Sequence, residues 1–122
     1  AVAAALSGVG RVAGMDPDPA SPLQAARTAA LNGVERQCHF WRGGFHSARG
    51  QWPAVVANLV ADLIQGGAAA LADLVAPGGR LFAGGILDLS WEQTCTVLAG
   101  QGLLLDQSLS RGRWRAGVWI KT

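Results

Sequence analysis

The sequence predicts an α/β protein with a mostly parallel sheet that ends in an antiparallel hairpin. Short apolar segments alternate with longer segments of helical periodicity, as expected for strands joined by crossover helices. Near the C-terminus, two strand-like segments follow each other around Arg111-Gly112 with no helix between them. That order is typical of a hairpin and gives the predicted sheet its antiparallel end.

Composition limits the possible classes of protein and partner. The chain has 122 residues, of which 50% are hydrophobic and 15% charged, which suits one small folded domain. Its net charge of +2 is too small to indicate a nucleic-acid partner. Four basic residues gather near the C-terminus: Arg111, Arg113, Arg115 and Lys121. A solvated hairpin face explains them better than an RNA-facing patch, so we expect no direct binding of nucleic acid.

The cysteines and the apolar segments indicate the compartment. Cys38 and Cys95 stand far apart in apolar surroundings, which predicts core thiols in a reducing, cytoplasmic environment and no metal site. No apolar run approaches the ~20 residues of a membrane span, so we expect no membrane association. No charged segment precedes the alanine-rich opening, as a signal peptide would require. The chain does not open on methionine, and we do not expect position 1 to be the natural start.

The first half of the sequence predicts helix, strand, helix, strand. An alanine-rich helix ends at residue 7, and an apolar run over residues 11–15 predicts a buried strand that ends on Asp16. Ser21 before Pro22 predicts a capped helix start, and the helix is expected to end at Asn32-Gly33. Residues 36–42 alternate in polarity, which favours an edge strand that Gly43-Gly44 breaks.

The second half predicts a longer series of elements. In order, they are a strand over residues 54–57, a helix over 60–75, a strand over 80–84, a helix over 90–99 and hairpin strands over 103–110 and 113–120. The first of these strands ends on Asn58. Gly66-Gly67 weakens the long helix, and Pro77-Gly78-Gly79 is expected to end it. Ser90 and Gln93 have the spacing of a capping box.

Candidate binding residues follow from the strand ends, since ligands of open α/β sheets bind outside the carboxyl ends of the strands. Asp16, Asn58 and Gly84-Gly85 each end a predicted strand. The Asp16 carboxylate can accept from both hydroxyls of a ribose; the alternative is a helix cap, for which Asp18 is better placed. Asn58 can orient a polar substrate without carrying charge, and it is equally suited to forming a turn.

Gly43-Gly44 also follows a predicted strand, and it has two possible roles. The two glycines would let the backbone approach a flat ring such as adenine, or would simply form a turn. The glycines at positions 8, 10 and 14 do not form a dinucleotide fingerprint, because their spacing is wrong and they precede a strand. His39 and His46 have no acidic or cysteine partner nearby in sequence. No nucleophile elbow, metal motif or phosphate loop is present.

Taken together, the motifs resemble those of a known family. Residues 14–19 with residues 31–34 are similar to the second strand and following helix of class I S-adenosylmethionine-dependent methyltransferases. Residues 55–64 resemble the fourth-strand motif of these enzymes, most closely in the bacterial methyltransferases of a large-subunit ribosomal protein at the stalk base. Residues 74–81 and 84–87 continue the resemblance, which covers nearly the whole chain.

The resemblance implies a Rossmann-like class I methyltransferase fold, with S-adenosyl-L-methionine as cofactor and a protein amine as substrate. The family's first strand and glycine loop would precede Ala1, so residues 1–122 would form a single partial methyltransferase domain. Asp16 would bind the ribose, and Pro17 would also belong to the cofactor-binding residues. Gly43-Gly44 would lie by the adenine. Asn58 would be the catalytic residue and would bind beside the methionine part of the cofactor and the incoming amine. The expected partner is a ribosomal protein. The alternatives are a small-molecule methyltransferase or an inactive methyltransferase-like binding domain.

Overall fold

The computed structural model describes residues 1–122 as two compact units, Ala1–Ala48 and Arg49–Thr122. The first unit contains, in order, α1 (Val2–Leu6), β1 (Val12–Asp16), α2 (Ala20–Leu31), β2 (Cys38–Arg42) and a single 3-10 turn (Phe45–Ser47). Strands β1 and β2 are parallel, and their register runs from Val12 opposite Cys38 to Asp16 opposite Arg42. The predicted order of helix, strand, helix and strand is confirmed.

The first unit has a small core. Ala5 of α1, Ala29 of α2 and Val34 are buried, and the half-buried hydrophobic residues Val2, Val12, Cys38 and Phe40 pack against them. Alanines at the contact let the two helices approach this small cluster. Burying the apolar surface stabilises the unit by roughly 25 cal/mol per Å².

The second unit contains seven elements. They are β3 (Trp52–Asn58), α3 (Ala61–Gly66), α4 (Ala68–Leu74), β4 (Val75–Leu87), α5 (Asp88–Gly100), β5 (Leu103–Arg111) and β6 (Trp114–Lys121). The sheet order is β3-β4-β6-β5. β3 and β4 are parallel, whereas β6 is antiparallel to both β4 and β5. The α/β class and the C-terminal hairpin are confirmed, and the sheet is mixed.

One face of the second sheet carries the core. Leu81 on β4 is fully buried, whereas its neighbour Phe82 is 38% exposed, so consecutive residues point to opposite faces. On the buried side, Trp119 of β6 contacts Trp91 of α5 with ring centroids 5.6 Å apart. Leu98 of α5 is also fully buried.

Two predicted helix caps are wrong. α2 begins at Ala20, so Ser21 lies inside it, and the Asp18 carboxylate accepts the Ala20 N–H at 3.0 Å instead. α5 begins at Asp88 with no side-chain cap, and Ser90 lies within its first turn. The reason is tertiary: the Asp88 N–H donates to the Arg113 carbonyl at 2.9 Å, which fixes the helix start against the hairpin.

The helix predicted over residues 60–75 is divided, and β4 starts earlier than predicted. α3 ends at Gly66 and α4 starts at Ala68, as the weak helix propensity of the two glycines allows. β4 begins at Val75, opposite Trp52 of β3, with a register shift further along. A Cβ on Gly79 would stand 2.9 Å from the Pro53 carbonyl. The helix therefore ends at Leu74, before Pro77-Gly78-Gly79, and pairing with β3 places these three residues within a strand.

Both cysteines are free thiols. None of the helices is long and apolar enough to cross a membrane. No three side chains of His, Cys, Asp or Glu come together in a way that could hold a metal ion.

Candidate functional site

Asp16 is the last residue of β1, as predicted, and its side chain forms a local turn. Its Oδ1 accepts the backbone N–H of Asp18 at 2.8 Å, two residues further on. This is an Asx turn and not a helix cap, because the start of α2 is held by Asp18. Asp16 is half-buried, and its Oδ2 accepts no hydrogen bond from the rest of the chain. One carboxylate oxygen is thus available to a ligand.

A cavity of about 210 Å³ adjoins this carboxylate. Its lining is Ala1, Gly14, Met15, Asp16, Ser21, Pro22, Ala25 and Phe40. A Cβ on Gly14 would stand 2.8 Å from the Phe40 ring, so the glycine lets the ring lie against β1. Ser21 and Phe40 were not among the site residues predicted from the sequence. The signal available for Phe40 was the glycine within the strand, which indicates a close approach.

The turn after Asp16 is attached to the end of β2. The Gly43 N–H donates to the Asp16 carbonyl at 3.0 Å. The Arg42 Nε donates to the Pro17 carbonyl at 3.1 Å. Parallel pairing, which places Arg42 opposite Asp16, makes both contacts possible. Three of the predicted residues, Asp16, Pro17 and Gly43, therefore lie together within the first unit.

Gly43-Gly44 leads into the 3-10 turn, and a hydrogen bond from Trp41 stabilises this turn. The Trp41 Nε1 donates to the Ser47 Oγ at 2.8 Å. A Cβ on Gly43 would stand 2.7 Å from that same oxygen, so only glycine leaves room for the bond. A Cβ on Gly44 would meet nothing within 4 Å. The turn thus presents open space beside Gly44 and a tightly packed side beside Gly43.

Asn58 ends β3 in the second unit, as predicted, and its side chain is exposed. It pairs with Gly84 of β4, and a Cβ on Gly85 would stand 3.2 Å from the Asn58 Oδ1. The predicted strand-end glycines therefore lie beside Asn58 within this unit, although β4 itself continues to Leu87.

A cavity of about 570 Å³ lies on the sheet face next to Asn58. Its lining is Val56, Ala57, Asn58, Phe82, Ala83, Gly84, Gln107, Ser108, Leu109, Ala116, Gly117 and Val118. None of these side chains is ionisable, so this cavity offers hydrogen-bonding groups and apolar surface but no acid or base. Such a site can orient a ligand through hydrogen bonds and apolar contacts.

Comparisons with known proteins identify the family. The family model described as ribosomal protein L11 methyltransferase (PrmA) matches residues 1–121. The ribosomal protein L11 methyltransferase of Pelotomaculum thermopropionicum is 38% identical over 117 residues, which are 95% of this chain and 38% of that protein. The protein of the same name from Thiobacillus denitrificans is 40% identical over 99% of this chain and 40% of its own length. The chain thus spans about two fifths of these relatives.

Solved structures support the fold. A ribosomal protein L11 methylase from Lactobacillus delbrueckii subsp. bulgaricus superposes with a TM-score of 0.90 at 24% identity, covering 100% of this chain and 64% of that one. An RNA methyltransferase from Salinibacter ruber, in complex with S-adenosyl-L-homocysteine, has a TM-score of 0.75 at 18% identity, covering 98% of this chain and 71% of that one. The Rossmann-like methyltransferase fold is confirmed. The chain belongs to the ribosomal protein L11 methyltransferase family, a family of S-adenosylmethionine-dependent enzymes.

Proposed function

We propose that the whole protein transfers a methyl group from S-adenosyl-L-methionine to an amine of a ribosomal protein, and that residues 1–122 supply part of its methyltransferase domain. The match of the family model to residues 1–121 is the observation that carries this proposal. Because that match runs through both compact units, we infer that they belong to one domain. In keeping with this role, we also propose that the protein is cytoplasmic and that it binds no nucleic acid, membrane or metal.

The residues at the end of β1 fit the ribose of the cofactor. Two vicinal hydroxyls need acceptors, and the Asp16 carboxylate has an oxygen that no group of the chain engages. The cavity of about 210 Å³ lies directly beside it. Pro17 restricts the backbone of the following turn, which keeps the carboxylate in one orientation. We assign ribose binding to Asp16 and Pro17.

Gly43 and Gly44 suit a flat ring such as adenine. The backbone at Gly44 is open, with nothing within 4 Å of the place where a side chain would begin. The hydrogen bond from Trp41 to Ser47 holds the turn in shape. A planar ligand could therefore approach the main chain at Gly44 without displacing a side chain. This supports the adenine assignment over a turn that has no other role.

Asn58 is proposed to align the reacting groups. When bound, the cofactor supplies a methyl group already activated by its sulfonium. The Asn58 amide offers two donors and an acceptor at the end of β3, and can hold an amine in line without adding charge. The lining of the nearby cavity is mostly apolar, and an amine that loses its water against such a surface has a lower pKa. Removal of water thus favours the neutral nucleophile without a dedicated base.

The test is calorimetry of the whole protein with S-adenosylhomocysteine. Asp16→Ala is expected to weaken binding about tenfold or more, because hydrogen bonds to a carboxylate are strong. Asp18→Asn is the matched control: it removes a charge two residues away and keeps an acceptor for the Ala20 N–H. It should change the affinity less than about twofold. Absence of binding by the wild type, or an unchanged affinity for Asp16→Ala, would refute the assignment.

The substrate needs a separate experiment. The whole protein should transfer labelled methyl groups from S-adenosylmethionine to ribosomal protein L11, and acetylating the amines of L11 beforehand should abolish the transfer. Transfer only to small molecules would favour the small-molecule methyltransferase. Cofactor binding without transfer to any acceptor would favour the inactive binding domain.

A further inference from the structure

The turn that carries Asp16 is fixed to the neighbouring strand at two successive carbonyls. The Gly43 N–H binds the Asp16 carbonyl at 3.0 Å, and the Arg42 Nε binds the Pro17 carbonyl at 3.1 Å. The first contact is between main-chain atoms, so it does not depend on a particular side chain. The second depends on the side chain of Arg42. It therefore ties the orientation of the peptide after Asp16 to one particular residue.

Within the turn, the carboxylate and the backbone move together. The N–H of Asp18, which binds the Asp16 Oδ1 at 2.8 Å, belongs to the peptide whose carbonyl is that of Pro17. Arg42 thus holds one end of a peptide group whose other end holds the Asp16 carboxylate. Rotation of that peptide would break both hydrogen bonds.

Arg42 acts on the backbone and not on the carboxylate. No ion pair joins Arg42 to Asp16, although the two are register partners on adjacent strands. The guanidinium therefore leaves the second carboxylate oxygen of Asp16 available. An ion pair in the same place would have competed with a ligand hydroxyl for that oxygen.

We propose that Arg42 is a positioning residue for ribose recognition: through the Pro17–Asp18 peptide, it sets the orientation of the Asp16 carboxylate. This inference rests on the proposed role of Asp16. Arg42 itself need not touch the cofactor. Arg42 fixes the orientation of the Asp16 carboxylate before the ligand binds, which reduces the entropy cost of binding.

Two substitutions of similar size separate the hydrogen bond from the charge. Arg42→Gln places an amide nitrogen the same number of bonds from the backbone as the arginine Nε, so it keeps a donor and removes the charge. Arg42→Met extends equally far and has no donor. Each is made in the whole protein. Melting temperatures without ligand establish that both variants fold, and calorimetry measures binding of S-adenosylhomocysteine and of its analogue lacking the 2′ and 3′ hydroxyls.

We expect Arg42→Met to weaken binding of S-adenosylhomocysteine about three- to tenfold, the range for loss of one hydrogen bond. Arg42→Gln should stay within about twofold of the wild type. Neither should change the affinity for the analogue without hydroxyls, because that ligand does not use Asp16. Loss of affinity for both ligands in Arg42→Met would show a merely structural role and overturn the proposal. An unchanged affinity in Arg42→Met, or an equal loss in Arg42→Gln, would also overturn it.

Asp16→Ala, measured in parallel, tests the role of Asp16 separately from the role of Arg42. If it loses the preference for the ribose hydroxyls while Arg42→Met does not, Asp16 keeps its assignment and only the role of Arg42 fails. If the wild type shows no such preference, the assignment of Asp16 fails and the role of Arg42 fails with it.

Discussion

Gly85 and the Asn58 side chain are in direct contact: a Cβ added to Gly85 would stand 3.2 Å from the Asn58 Oδ1. Gly85 also has a φ of +74°, in the left-handed region. The backbone conformation requires glycine, and the spacing leaves little room for a Cβ unless the Asn58 side chain shifts. The end of β3 at Asn58 and the bend of β4 at Gly85 are therefore packed against each other.

Gly85→Ala should therefore destabilise the protein by about 1–2 kcal/mol, the cost of a left-handed conformation for a residue with a Cβ. Gly84→Ala is the matched control, because its Cβ would meet only the Ala116 Cβ, at an ordinary 3.6 Å. The free energy of unfolding, measured by urea denaturation, should fall in the first variant and change little in the second. Equal costs for the two would contradict this account.

At Gly43, the constraint is space for a side chain. A Cβ there would stand 2.7 Å from the Ser47 Oγ, so Gly43→Ala should displace Ser47 and break its hydrogen bond with Trp41. Loss of that bond should cost about 1 kcal/mol in the free energy of unfolding and change the near-ultraviolet circular dichroism of the indole. Gly44→Ala, which adds a methyl group to open space, should retain wild-type stability. A wild-type spectrum for Gly43→Ala would refute the predicted displacement.

The Cys95 thiol should make stability depend on alkaline pH. Burial raises its pKa above the ordinary value of 9.0, with the positive charge of Arg115 opposing part of the effect. Because the folded-state pKa is higher, this contribution is present at neutral pH and is lost as the pH rises through the folded-state value.

Stability should accordingly fall above about pH 9, and Cys95→Ala should reduce that fall. The substitution will also change the free energy of unfolding by a roughly constant amount, so the comparison is between the slopes of the two pH profiles. Urea denaturation between neutral pH and pH 11 provides them. Parallel profiles would show that Cys95 does not contribute to the pH dependence.

Local patterns in the sequence were sufficient to place the ends of β1 and β3, but not the bounds of β4. Asp16 and Asn58 each end a strand as predicted, since apolar runs bounded by polar residues and turn formers are local signals. The contact between Arg42 and Pro17 could not be predicted, because it requires the parallel pairing of β1 with β2 in one register. The start of α5 at Asp88 was missed for a similar reason, as it depends on the hairpin.

The alternation of residues in β6 does not show which of its faces is buried. Trp114, Ala116, Val118 and Ile120 lie on one face of this strand. The residues that pack against α5 are on the other side, with Trp119 fully buried there. The buried face also carries Arg115 and Lys121, so it is the less apolar of the two faces, and the sequence pattern alone does not indicate that it forms the core. Only the position of the helices decides which face becomes core.

Gly117 lies on the buried face of β6, so a substitution there tests directly which face of the strand packs against α5. A Cβ there would stand 2.7 Å from the Trp119 Cη2 and 2.8 Å from the Trp91 Cη2. Both indoles are rigid and buried, so neither can move aside without a change in the core. Gly117→Ala should destabilise the protein by about 1–3 kcal/mol, as overpacking does, and alter the near-ultraviolet circular dichroism. Gly66→Ala, in open space at the end of α3, should instead be neutral or stabilising by up to about 1 kcal/mol. If Gly117→Ala were as stable as the wild type, the two tryptophans could not meet above β6 as described.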